Sequence, residues 1–148
     1  MTITTEHENG NSLQNGVIEW SVLDEILAFR KPGGPDPRRR IITIYLDSSP
    51  MLMEAIKTAI SAPDTSLIHK SAHALKSSSM NVGAIGLGPL CADLERAGKA
   101  GSIEDAKNLF DRLETQYAAV IAALQEASQQ MGIKKFRREL YEKENKPG

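Results

Sequence analysis

Spacing is what most restricts the fold of this chain. From Ile18 to Met131 apolar residues return every three or four positions, and no stretch alternates in steps of two for long enough to make a convincing strand. The expectation is an all-helical protein, and the punctuation divides it into elements. Ile18, Val22, Leu23, Ile26, Leu27 and Phe29 predict a short first helix with Ser21 as its N-cap and Asp24 three residues on. The Lys31 to Pro35 turn cluster stops it. Asp36 followed by Pro37 marks the next start, because a carboxylate accepts orphan N–H groups and proline suits the first helical position. That second helix carries Ile41, Ile42, Ile44, Tyr45, Leu46, Met51, Leu52, Ile56 and Ile60, with Arg38, Arg39 and Arg40 as a solvated face. Helical spacing resumes directly after Pro50, so this proline is expected to bend the helix without ending it.

Asp64 and Thr65 cap a third helix reaching Asn81, closed by Gly83. A fourth runs from Ile85 or Leu87 to Ala97, with Gly98 as its terminator, and Ser102 with Asp105 opens a last helix reaching Met131. Short connections make neighbouring helices antiparallel. The predicted fold is an up-down antiparallel four-helix bundle with a short extra N-terminal helix over one end.

Residues 1–17 are polar and lack periodicity, and are read as a disordered leader; residues 18–131 form the bundle domain; residues 132–148 form a charged tail or helix extension. A chain of 148 residues buries enough surface to need no disulfide or metal, and its one cysteine, Cys91, forms no internal bridge. With no signal-peptide pattern and no apolar run near the ~20 residues of a membrane span, a cytoplasmic setting without membrane insertion is expected, whether stand-alone or as a segment of a membrane-anchored protein. The 18 basic and 19 acidic side chains nearly cancel, so there is no general electrostatic reason to bind nucleic acid. Function must come from a local site.

The third helix holds the candidate. Ile68, Ala72, Leu75, Ser79 and Val82 make its inward stripe, which leaves His73 about 100° round the helix, facing outward or sideways. Lys76 shares its face and Ser77 lies one turn above it. From Thr65 to Ala92 there is no carboxylate, while Lys70, Lys76, His69 and His73 all fall in that interval, which makes a patch favourable to anions. Small polar residues follow the histidine and keep bulk away from it. An unprotonated imidazole on such an open shelf is a competent nucleophile, and a nearby ammonium can neutralise an arriving phosphoryl group.

The run His73-Ala-Leu-Lys76-Ser77-Ser78-Ser79, with Gly83 ten residues after the histidine and then Leu90-Cys91-Ala92-Asp93-Leu94-Glu95, resembles the histidine-containing phosphotransfer (HPt) domain family. The usual pattern there is H-x-L-K-G-S-S, a glycine, and an L-C-x-x-L-E-like helix. Ile44 to Pro50 and the preceding Gly34-Pro35-Asp36 are similar to the second helix of HPt domains at the C-terminal ends of hybrid sensor histidine kinases, so the likeness covers about residues 18–127. It implies a phosphorelay intermediate without autokinase activity, partnered by response-regulator receiver domains and either stand-alone or part of a hybrid sensor histidine kinase. His73 then matches the phosphoacceptor and Lys76 the phosphoryl-stabilising lysine. Glu95 matches a position from which a polar side chain, often glutamine, orients the imidazole. His69, Lys70, Ser77 and Met80 are the expected receiver-docking residues. Ser77 departs from the family, which usually has glycine there.

No cofactor is expected on this chain, with Mg²⁺ belonging to the partner receiver. The glycine-rich Gly83 to Gly88 stretch is neither of the familiar nucleotide-binding patterns, so it is read as a helix corner. No metal site is expected either, because His69, His73 and Glu95 lack a fourth ligand and two lysines would repel a divalent cation. A monomer is expected. The competing reading is a helical adaptor that recruits signalling partners and whose histidine is not phosphorylated.

Overall fold

The computed structural model describes residues 16–131; of the leader expected over residues 1–17 the first fifteen residues lie outside the described ones, as does the tail expected over residues 132–148, while Gly16 and Val17 are helical and Val17 packs against the core. Among the described residues the helices run in the order α1 (Trp20–Asp24), α2 (Pro37–Ser61), α3 (Thr65–Asn81), α4 (Leu87–Ala100) and α5 (Ile103–Gln130), with a 3₁₀ turn at Glu25–Phe29 after α1. Among the described residues there is no strand.

Three helix starts follow the predicted chemistry. The Asp36 side chain accepts from the Arg38 N–H, Asp64 from the Leu67 N–H and Ser102 from the Asp105 N–H. α2 passes through Pro50 for its full 25 residues.

The four long helices close a ring. Each packs on the next in sequence and α5 returns to α2. Tyr45, 17 residues before Ala62, hydrogen-bonds Ser79, 17 residues after it, so α2 and α3 run antiparallel about their short connection. Along α3 the contacts with α4 pass from Thr65 and His69 at Gly98 to His73 and Lys76 at Glu95, which makes that pair antiparallel too.

The core inside the ring includes Ile42, Ile56, Ile68, Leu75, Leu87, Leu94, Leu113 and Leu124, each with no exposed surface. Each such side chain contributes roughly 1.5–3 kcal/mol of hydrophobic stabilisation. The predicted α3 stripe, Ile68, Ala72, Leu75, Ser79 and Val82, is buried throughout. Two hydroxyl pairs join helices inside this apolar setting: Tyr45 to Ser79 at 2.8 Å and Ser49 to Tyr117 at 2.7 Å. Each satisfies groups that would otherwise cost free energy to bury.

The N-terminal segment is pinned over one end by backbone. The Glu19 N–H donates to the Gly83 carbonyl at 2.7 Å, and Ile18 and Leu23 are fully buried. Gly83 has φ +85°, and a side chain there would run into the Glu19 backbone. Both the turn and the close approach therefore require glycine.

Several expectations are corrected. Ser21 is not an N-cap: α1 begins at Trp20, its N-cap residue Glu19 makes no side-chain cap bond, and the Ser21 hydroxyl donates to the Glu19 carboxylate. Arg38 is not on a solvated face. It is half-buried, bridging Asp36 and Asp24 at 2.7 Å each and tying α1 to the start of α2. Gly98 does not end α4. The helix continues to Ala100 and is closed by Gly101 at φ +77°, while Gly98 sits where a Cβ would lie 2.8 Å from both His69 N and Thr65 O. It is the glycine that lets α3 and α4 touch. Phe29, Ile44 and Met51, counted in the apolar pattern, are exposed.

Candidate functional site around His73

The site is built on the α3–α4 contact. Because Leu75 and Ala72 are locked inward, His73 is turned to the outer edge of that contact, and 61% of its side chain is exposed. Its Nδ1 lies 2.8 Å from Glu95 Oε2. An ionised carboxylate can only accept, so in the neutral ring Nδ1 carries the hydrogen and donates it, leaving the lone pair on Nε2.

Glu95 holds a second partner. The Lys76 ammonium donates to Glu95 Oε1 at 2.8 Å, so the two oxygens of one carboxylate grip two side chains one turn apart on α3. Only 16% of the Glu95 side chain is exposed and 33% of that of Lys76. The Lys76 hydrogen bond, assisted by the one from His73, holds the Glu95 carboxyl below the usual carboxylate range against the opposing effect of burial. Glu95 is therefore ionised at neutral pH. Sequence reasoning brought His73, Lys76 and Glu95 into one site but missed the ion pair between the last two. Nineteen residues and a helix corner separate them, and only the crossing of α3 over α4 sets that distance.

His69 lies one turn before His73 and is half-buried. Its Nδ1 donates to the Glu95 backbone carbonyl at 3.2 Å. His69, Lys76, Glu95, Arg96 and Lys99 line a cleft of about 220 Å³ along the same seam. Arg96 there is paired with Asp93. Lys70 and Ser77 are exposed, as is Met80, whose sulfur lies 2.9 Å from where a Cβ on Gly88 would stand. On the opposite flank a groove of about 240 Å³ between α2 and α3 is lined by Ile44, Ser48, Ser78 and Asn81 among others. Nothing in the sequence singled out that groove, because its residues come from helices whose relative rotation only the packed bundle sets.

Cys91 is buried, and burial pushes its thiol up to about 12, so it is an inert core group at neutral pH. Among the described residues no three His, Cys, Asp or Glu side chains gather as a metal-ligand group.

The profile of the Hpt domain family matches residues 40–127, more than half of the chain and the whole stretch that carries the His73, Lys76 and Glu95 triad. The chain belongs to the Hpt domain family. The fold of this Hpt domain is similar to the crystal structure of histidine-containing phosphotransfer protein B from Pseudomonas aeruginosa PAO1, with a TM-score of 0.70 and 22% identity over 77% of this chain and 96% of that one. No curated protein sequence matches the chain. Membership of the Hpt family gives the domain a role in histidine phosphotransfer within a phosphorelay, where Hpt proteins partner with response-regulator receiver domains. No helix among the described residues is long and apolar enough to cross a membrane.

Proposed function

We propose that this Hpt domain is the intermediate of a multistep two-component phosphorelay, taking a phosphoryl group on His73 from one receiver aspartate and giving it to another. The observation that carries the reading is the presentation of His73: an exposed ring whose Nδ1 is anchored by Glu95, which leaves Nε2 as the free, outward nucleophile. In the transfer, the Nε2 lone pair forms the N–P bond as the aspartyl O–P bond breaks, and the electron pair of that bond stays on the aspartate as carboxylate. The reverse transfer is the same step read backwards. Phosphoryl transfer depends chiefly on alignment and charge stabilisation, so a fixed imidazole and one ammonium are a sufficient contribution from this side. Lys76 is the cation within reach of the arriving oxygens. The receiver supplies Mg²⁺.

Docking falls to the surface around the ring. His69, Lys70, Ser77 and Met80 form the ground on which a receiver rests, and the small side chains after His73 leave room for its active site. The domain acts as a monomer, alone or as part of a hybrid sensor histidine kinase, without autokinase activity.

The test is transfer from a radiolabelled phospho-receiver in the presence of Mg²⁺. The wild-type domain should acquire acid-labile, base-stable label that His73→Gln does not acquire. Equal labelling of the two, or none on either with every receiver of the source genome, would leave the domain as a non-phosphorylated adaptor.

A further inference from the structure

Glu95 is a carboxylate in a position where an amide would orient the ring equally well, and the two differ in one chemical respect. An amide offers either an acceptor oxygen or a donor N–H, so it can follow the imidazole whether Nδ1 is protonated or bare. Ionised Glu95 offers acceptors alone. Its hold on His73 therefore survives only while Nδ1 keeps a hydrogen. When Nε2 attacks phosphorus, the ring enters the product with Nδ1–H in place, as an N-phosphorylated imidazolium.

We infer that Glu95 keeps the Nδ1 proton on the phosphorylated ring, so that the phosphoryl group on this domain is short-lived and readily given up. The inference rests on His73 being the phosphoacceptor and concerns how long the group stays there. Loss of the group breaks the Nε2–P bond and returns its electron pair to Nε2. With Nδ1 protonated the leaving group is neutral imidazole; with Nδ1 bare it is imidazolate, a far poorer one. A carboxylate at 2.8 Å stabilises the protonated ring by charge as well as by hydrogen bond.

The other charges around the ring do not replace this effect. Lys76 is held on the second oxygen of the same carboxylate, and its charge, like those of Lys70 on α3 and Lys99 on α4, disfavours a positive ring, while Arg96 on α4 is paired with Asp93. His69, one turn back on α3, donates to the Glu95 main chain and adds a further positive charge when protonated. Glu95 is thus a positioning residue with two partners: it fixes the proton on His73 and holds the Lys76 ammonium on its other oxygen.

The experiment phosphorylates the wild-type domain and Glu95→Gln chemically with phosphoramidate, with His73→Gln as the blank, and follows loss of phosphohistidine from pH 5 to 9. Glutamine keeps the size and the hydrogen-bonding reach, so the fold is retained. The expected result is that the fall in hydrolysis rate with rising pH begins about one unit lower in Glu95→Gln, so that near pH 8 its phosphohistidine lasts about tenfold longer. In the unphosphorylated domains, ¹⁵N spectra of His73 should show hydrogen on Nδ1 in the wild type and a mixture of tautomers in Glu95→Gln. Coincident pH profiles would overturn the inference while leaving His73 as the acceptor. Failure of the wild-type domain to take up phosphate on His73 would instead overturn the function on which it rests.

Discussion

At the scale of single residues, the domain departs from its family's usual pattern at a side chain beside the proposed nucleophile. Ser77 stands one turn from His73 on the exposed face of α3, where the family usually has glycine. Its hydroxymethyl group lies on the proposed docking surface. Ser77→Gly is expected to raise the transfer rate measured with a phospho-receiver, at a helix cost of about 1 kcal/mol that a bundle of this size tolerates. A lower rate would show that the hydroxyl takes part in docking. The Glu95 grip carries a pH signature of its own. Its carboxyl is more acidic in the folded state than in the unfolded chain, chiefly through Lys76, so the pair stabilises the fold above the usual carboxylate range and loses that contribution as the pH falls through the folded-state value. Melting temperatures of wild type and Glu95→Gln should differ most near neutral pH and converge in acid; a constant difference down to pH 3 would argue against the ion pair.

At the scale of elements, legibility followed the range of the interaction. The starts at Asp36, Asp64 and Ser102 were readable because a cap is decided within three residues of sequence. The inward stripe of α3 was readable because helical period alone fixes it. What the sequence could not show lies between helices. Gly98 looked like a terminator, yet it is the point where α3 and α4 make contact, and Gly101 ends the helix. Arg38 looked solvated because its partner Asp24 belongs to another element, and Ser21 looked like a cap although the helix begins two residues earlier than that cap implies. The pairing of Lys76 with Glu95 was hidden for the same reason, although both residues were picked out by family resemblance. Gly83 was legible as a helix-ending glycine, but its second duty against Glu19 was not. Because both duties exclude a side chain, Gly83→Ala should destabilise the domain by about 2 kcal/mol or more in chemical denaturation, from left-handed backbone strain plus displacement of the N-terminal segment. A loss under about 0.5 kcal/mol would mean that the Glu19 contact contributes little.

At the scale of the molecule, the bundle serves as a rigid mount. Four helices with interlocked apolar faces hold one seam, and along that seam α3 presents the imidazole while α4 presents the carboxylate that orients it. His73, Lys76 and Glu95 all stand on helices, which suits the proposed contribution to transfer, alignment. The cationic cleft lies on the α4 side of α3 and the apolar groove on its α2 side, so the two flanks of α3 differ in chemistry. The account stands or falls on which atom takes the phosphoryl group. Phosphorus–proton correlation NMR of the domain after transfer from a phospho-receiver reads this directly. The predicted result is a single phosphorus coupled to both ring protons of His73, as attachment at Nε2 requires. A phosphorus on Nδ1, on His69 or on any other side chain would contradict it.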